Sequence, residues 1–93
     1  MSEYEEILGI KIPNNTNIKA VTNSSKKVLK DSIFFGLQGI NVHGSNYAED
    51  AIKNGASLVV HDDPLYDKNN ERIIFAKNLK KNIVKFLDSF YSI

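Results

Sequence analysis

The residue types best suited to chemistry are thinly spread along this chain. His43 and His61 stand far apart, with no carboxylate or second histidine at ligand spacing, so neither is expected to bind a metal. His61 closes an apolar run and is expected to face a surface loop. Asp62-Asp63 offers two adjacent carboxylates, which suit a cation or, more simply, a solvated turn. Ser24-Ser25 lacks the glycine-flanked nucleophile elbow and has no convincing histidine partner, which argues against a hydrolase. Lys80-Lys81 reads as the solvated face of a helix. No Gly-x-x-x-x-Gly-Lys-[Ser/Thr] run occurs, so the chain has no P-loop to cradle a nucleoside triphosphate. No catalytic residue is expected, and no metal ligand.

Two polar loops carry the better signal. Thr22-Asn23-Ser24-Ser25 follows an apolar stretch ending at Val21, and Gly39-Ile40-Asn41-Val42-His43-Gly44 follows another ending at Leu37. In α/β sheets ligands settle outside the carboxyl ends of strands, on loops of this kind. Asn23, Ser25 and Asn41 supply neutral donors and acceptors suited to a base or sugar edge. Gly39 and Gly44 permit close backbone approach. Asn, Ser and Gly are also what plain connectors contain, so spacing alone leaves binding and connection both open.

The elements that must position these loops follow from hydrophobic period. Ser2 to Leu8 fits a short helix with Tyr4, Ile7 and Leu8 on one side. Pro13-Asn14-Asn15 is a turn, and residues 17–22 read as a strand. Ile33 to Leu37 is a short apolar run rich in β-formers, the pattern of a strand buried on both faces. Asn46, with Glu49 three residues on, predicts a capped helix stopped by Gly55. Ala56 to His61 and Arg72 to Ala76 predict two further strands, separated by a polar loop around Pro64. Asn78 is expected to cap a last helix whose apolar positions Leu79, Ile83, Phe86, Leu87, Phe90 and Tyr91 keep the 3.6-residue period. The alternation predicts one small α/β domain, a mixed sheet of about four to five strands with helices packed on it. Extra strands around Ile10 leave the sheet order open.

Composition sets the outer bounds. Ninety-three residues make one domain with a modest core. The formal net charge of +1 gives no electrostatic case for nucleic acid or an anionic membrane. Cysteine is missing, which excludes disulfides and thiolate metal sites. No run approaches the roughly 18 consecutive apolar residues of a membrane span. The start, Met1-Ser-Glu-Tyr-Glu-Glu, is acidic where a secretory leader is basic and then apolar, so a cytoplasmic setting is expected. Arg72 is the one arginine against eleven lysines, a bias spread over the whole chain.

The two loops and their flanks also carry a resemblance. Val21-Thr-Asn-Ser-Ser-Lys-Lys-Val-Leu-Lys-Asp-Ser-Ile-Phe-Phe-Gly-Leu-Gln-Gly39 is similar to the opening signature of Mur ligases. There an Asp-Ser-Arg turn is followed by a lysine- or proline-rich loop and then Gly-Asp-Leu-Phe-Phe-Ala-Leu-x-Gly. Asn41-Val-His-Gly-Ser-Asn-Tyr-Ala-Glu-Asp-Ala-Ile-Lys-Asn-Gly-Ala-Ser-Leu-Val-Val60 resembles the family's Asp-Gly-His-x-Phe-Ile-x-x-Ala-Ile-x-x-Gly-Ala segment. Within the family the form at Ala51 to Ala56 looks most like ligases that add the third peptide residue, with the D-alanyl-D-alanine-adding ligase the close alternative.

The resemblance implies an N-terminal domain that holds the UDP end of UDP-N-acetylmuramoyl-L-alanyl-D-glutamate. It implies ATP and Mg²⁺ in a central domain and the incoming meso-diaminopimelate or L-lysine in a last domain, both outside this chain. By position, Asn23, Ser25, Ile40, Asn41 and Val42 would touch the nucleotide. This chain departs from the pattern at Ser24 (usually Asp), Lys26 (usually Arg), Asp31-Ser32 (usually Gly-Asp) and His43 (usually Asp). Lys26 cannot reproduce a planar bidentate arginine contact, and Ser24 is expected to cap the turn locally in place of the aspartate. A free-standing nucleotide-binding or docking module on the same fold is the alternative of a different class.

Overall fold

The computed structural model describes residues 2–38 and 43–92, without the side chain of Ser2. Seven elements frame it: α1 (Ser2–Leu8), β1 (Ala20–Thr22), β2 (Ser32–Gly36), α2 (Ala48–Lys53), β3 (Leu58–His61), β4 (Ile73–Phe75) and α3 (Leu79–Phe90). Short 3₁₀ turns at Ser25–Lys27 and Gly44–Tyr47 precede β2 and α2 respectively.

The sheet has four strands in the order β1-β2-β3-β4, and every neighbouring pair is parallel. The expected small α/β domain is borne out, and the pairing narrows from mixed to wholly parallel. Each link between successive strands crosses over the sheet, so each strand returns running the same way. Ile10 lies in a bend after α1 and adds no strand.

Side-chain alternation along β2 and β3 builds a core on each face. Ile33 and Phe35 of β2 and Leu58 and Val60 of β3 point to one side, where Leu8, Leu79 and Phe86 of α1 and α3 cover them. Phe34 and Val59 point to the other, against Ala48 and Ala51 of α2 and Ile73 of β4. All five β2 residues and all four β3 residues are buried, which explains their near-continuous apolar run. Small alanines on α2 let that helix lie close to the sheet. On the opposite face an aromatic cluster does the filling: Phe86 meets Tyr4 at 4.8 Å and Phe35 edge-on at 5.3 Å between ring centroids.

Helix ends differ from what the sequence suggests. Asn46 sits inside the 3₁₀ turn, and α2 begins at Ala48 with Tyr47 at its N-cap and no side-chain cap bond. Glu49 is therefore already in the helix and forms no capping box. The cap is made one step earlier, where His43 Nδ1 accepts the backbone N–H of Ser45 at 3.0 Å. Asn78 precedes α3 in the left-handed region (φ 60°) and makes no side-chain cap bond. Gly55 does stop α2, at φ +120°, where a side chain would be strained.

Candidate functional site

The carboxyl ends of β1 and β2 open onto a cleft of about 420 Å³. Val21, Thr22 and Asn23 form one wall, Phe35 and Leu37 the floor, and Ile83, Leu87 and Tyr91 of α3 the opposite wall. Asn23 is exposed at the rim, in the turn that follows β1. None of these eight residues carries a charge at neutral pH, so the cleft suits an uncharged, largely apolar group with a polar edge.

Thr22 shapes the turn that holds Asn23. Its hydroxyl donates to the Ser24 carbonyl at 3.2 Å and accepts the Ser24 N–H at 3.1 Å. The local bonding expected of Ser24 is thus made by Thr22, because the extended Ser24 backbone turns its N–H and C=O toward β1; Ser24 makes no side-chain cap bond. Ser25 opens the 3₁₀ turn, half-buried, and its carbonyl accepts from the Asn54 carboxamide at 2.9 Å. Asn23 and Ser25 therefore share one turn, with Asn23 on the cleft and Ser25 beside it. Ile40, Asn41 and Val42, the other expected contacts, lie outside the described residues.

The base of that second loop is well defined. Gln38 and His43 form an antiparallel bridge, and the Gly44 N–H donates to the Leu37 carbonyl at 2.7 Å. Gly36 and Gly44 lie against each other; a Cβ on Gly44 would stand 2.7 Å from Leu37 N and 2.8 Å from Gly36 Cα. The chain thus returns flush against the strand it has just left, and only glycine allows it.

Behind this seam the sheet gathers residues that look unrelated in sequence. His43 Nε2 lies 2.8 Å from Asp62 Oδ1, and Ser45 Oγ donates to Asp63 Oδ2 at 2.7 Å. Because His43 Nδ1 accepts an amide hydrogen, its Nε2 is the protonated nitrogen and donates to Asp62. His61 is 2% exposed, contrary to the surface position expected of it. It is the last residue of a strand covered on both faces, so its ring packs on Tyr66 at 4.8 Å and on Phe75 at 5.9 Å. Its Nδ1 accepts the Asp63 N–H at 3.1 Å. Burial pushes the His61 pKa below its usual value, against the opposing pull of Asp63. Asp63 is held below the ordinary carboxylate value, first by the Ser45 hydroxyl and then by the Leu65 N–H.

This cluster fastens two segments of the chain to each other. The Ser45 hydroxyl is committed to the Asp63 carboxylate. Among the described residues no set of three His, Cys, Asp or Glu side chains could hold a metal ion. The aspartate pair ties the β3–β4 loop to the segment that follows the second loop.

The α3 wall of the cleft was not visible as a site in the sequence. Ile83, Leu87 and Tyr91 keep the period of a core-facing stripe and read as packing residues. The one available signal was that the stripe continues to Tyr91, past the end of the helix.

The chain is a small α/β domain with a wholly parallel sheet and a cleft at the carboxyl ends of β1 and β2. A family model described as the Mur ligase family, catalytic domain, matches residues 17–89, and the chain belongs to that family. The UDP-N-acetylmuramoyl-L-alanyl-D-glutamate--2,6-diaminopimelate ligase of Rickettsia prowazekii is 34% identical over 80 residues, covering 83% of this chain and 16% of the relative. The UDP-N-acetylmuramoyl-tripeptide--D-alanyl-D-alanine ligase of the same organism is 38% identical over 71 residues, 76% of this chain and 16% of the relative. The chain thus spans about one sixth of these relatives' length. Among solved structures, the MurF ligase of Thermotoga maritima in complex with ADP shares the fold, with a TM-score of 0.67 at 18% identity over 83% of this chain and 18% of that one. Among the described residues no helix is long and apolar enough to cross a membrane.

Proposed function

We propose that this chain holds the uridine end of UDP-N-acetylmuramoyl-L-alanyl-D-glutamate for a cytoplasmic, ATP-dependent ligase adding meso-diaminopimelate or L-lysine in peptidoglycan precursor synthesis. The observation that carries this reading is the uncharged cleft at the carboxyl ends of β1 and β2, with Asn23 at its rim. Family membership and the substrate named in the Rickettsia diaminopimelate ligase support it. Asn23, Ser25, Ile40, Asn41 and Val42 are the proposed contacts. The residues present do not fit ATP or Mg²⁺: the sequence has no P-loop, and the described residues offer no metal-holding set. Both would belong to further domains of a longer ligase. The 38% identical tripeptide ligase and the MurF fold neighbour favour a second reading, the first domain of a D-alanyl-D-alanine-adding ligase.

A neutral hydrogen bond to ligand contributes about 0.5–1.5 kcal/mol. Asn23→Ala and Ser25→Ala should each weaken UDP binding by the 93-residue chain about three- to tenfold, measured by titration calorimetry. Unchanged affinity in both variants would remove this turn from the site.

A further inference from the structure

We propose that the Tyr91 ring stacks on the uracil base of a bound uridine nucleotide, making α3 the third element of the base site. This rests on the uridine reading above and goes beyond its loop contacts. Ile83, Leu87 and Tyr91 are spaced four residues apart and form one stripe along α3. Ile83 and Leu87 pack against the core, whereas Tyr91 is 64% exposed while still lining the cleft. The apolar stripe therefore runs one turn beyond the part of the sheet it covers.

Tyr91 stands one turn beyond Leu87 at the end of α3. The Tyr91 N–H donates to the Leu87 carbonyl at 3.0 Å, and its ring meets Phe90 edge-on, with centroids 5.0 Å apart at 89°. The chemistry of the walls selects what the ring stacks on. Among the described residues no cation lines the cleft, so a phosphate finds no partner in them. A planar, uncharged ring finds aliphatic walls from Val21, Leu37 and Leu87, and its polar edge finds the Asn23 carboxamide. The ribose and phosphates would then extend outward from the cleft.

The test is UDP titration of the 93-residue chain and its Tyr91→Ala and Tyr91→Phe variants by nuclear magnetic resonance, with thermal melts of all three. Base–aromatic stacking of ordinary strength predicts about a tenfold weaker dissociation constant for Tyr91→Ala. Tyr91→Phe, which keeps the ring, should stay within about twofold. Melting temperatures should be unchanged, since the side chain is exposed. Parent-like affinity of Tyr91→Ala, with Asn23 still shifted by UDP, would overturn the stacking and leave the uridine reading standing. An equal loss in Tyr91→Phe would overturn it in favour of a bond from the hydroxyl. Failure of UDP to shift Asn23 in the parent chain would overturn both.

Discussion

Gly44→Ala strikes the seam on which the second loop is built. The added Cβ would lie 2.7 Å from Leu37 N, 2.8 Å from Gly36 Cα and 2.9 Å from Leu37 O. Carbon atoms in good contact sit at about 3.5–4.0 Å, and all three neighbours are backbone that cannot rotate aside. Relief requires residues 43–45 to lift from β2, which stretches the 2.7 Å bond between Gly44 N and Leu37 O. Overpacking of this kind costs about 1–3 kcal/mol, and a weakened backbone hydrogen bond adds about 0.5–1.5 kcal/mol. The sum, about 1.5–4.5 kcal/mol, should lower Tm by about 6–36 °C in a domain of this size. Gly9→Ala is the comparison: its Cβ would meet nothing within 4 Å, but its φ of +66° costs about 1–2 kcal/mol. Thermal and urea unfolding followed by circular dichroism reads both variants. A Gly44→Ala protein melting as high as Gly9→Ala would refute the close approach of the two segments.

Buried His61 ties stability to pH. Its pKa in the folded chain lies below the usual 6.5, so the unfolded chain takes up a proton first as pH falls. Its contribution is full above pH 6.5 and is lost as pH falls from there through the folded value; Tm should drop between pH 7 and 5, and His61→Gln should flatten that slope. Thr22→Val keeps the shape of β1 but removes both bonds to Ser24; it should cost about 1 kcal/mol, or about 4–8 °C in Tm.

The elements were legible in the sequence to the extent that they are set by local period. The expected bounds of α1 match the observed Ser2–Leu8, and the apolar runs at 33–37 and 56–61 overlap the two buried strands, observed at Ser32–Gly36 and Leu58–His61. Caps were less legible, because Asn46 and Asn78 have the right side chains but the chain enters both helices by other geometries. The fastening between His43 and Asp62 spans 19 residues and that between Ser45 and Asp63 spans 18. Both depend on the return of the chain through α2 to β3, which no short motif encodes. The burial of His61 has the same cause: a polar residue ending an apolar run looks exposed in sequence, and only the pairing of β3 with a strand that ends in Phe75 covers it. Asn23 and Ser25 came from the loop signal and the family resemblance together, and the structure puts Asn23 on the cleft.

On the proposed reading, this chain meets uridine and not adenosine nucleotides. Chemical-shift mapping of the isotopically labelled 93-residue chain, titrated in parallel with UDP and ADP, tests it most directly. UDP should move Thr22, Asn23, Ser25 and Tyr91 with a dissociation constant on the order of 0.1–5 mM, or about −3 to −6 kcal/mol. ADP should leave those signals within about a tenth of the UDP shift at equal concentration, because the two nucleotides share one diphosphate and only the uracil edge is proposed to pair with the Asn23 carboxamide in the cleft. Equal responses to the two nucleotides, or UDP shifts confined to the Asp62–Asn70 loop, would contradict the account.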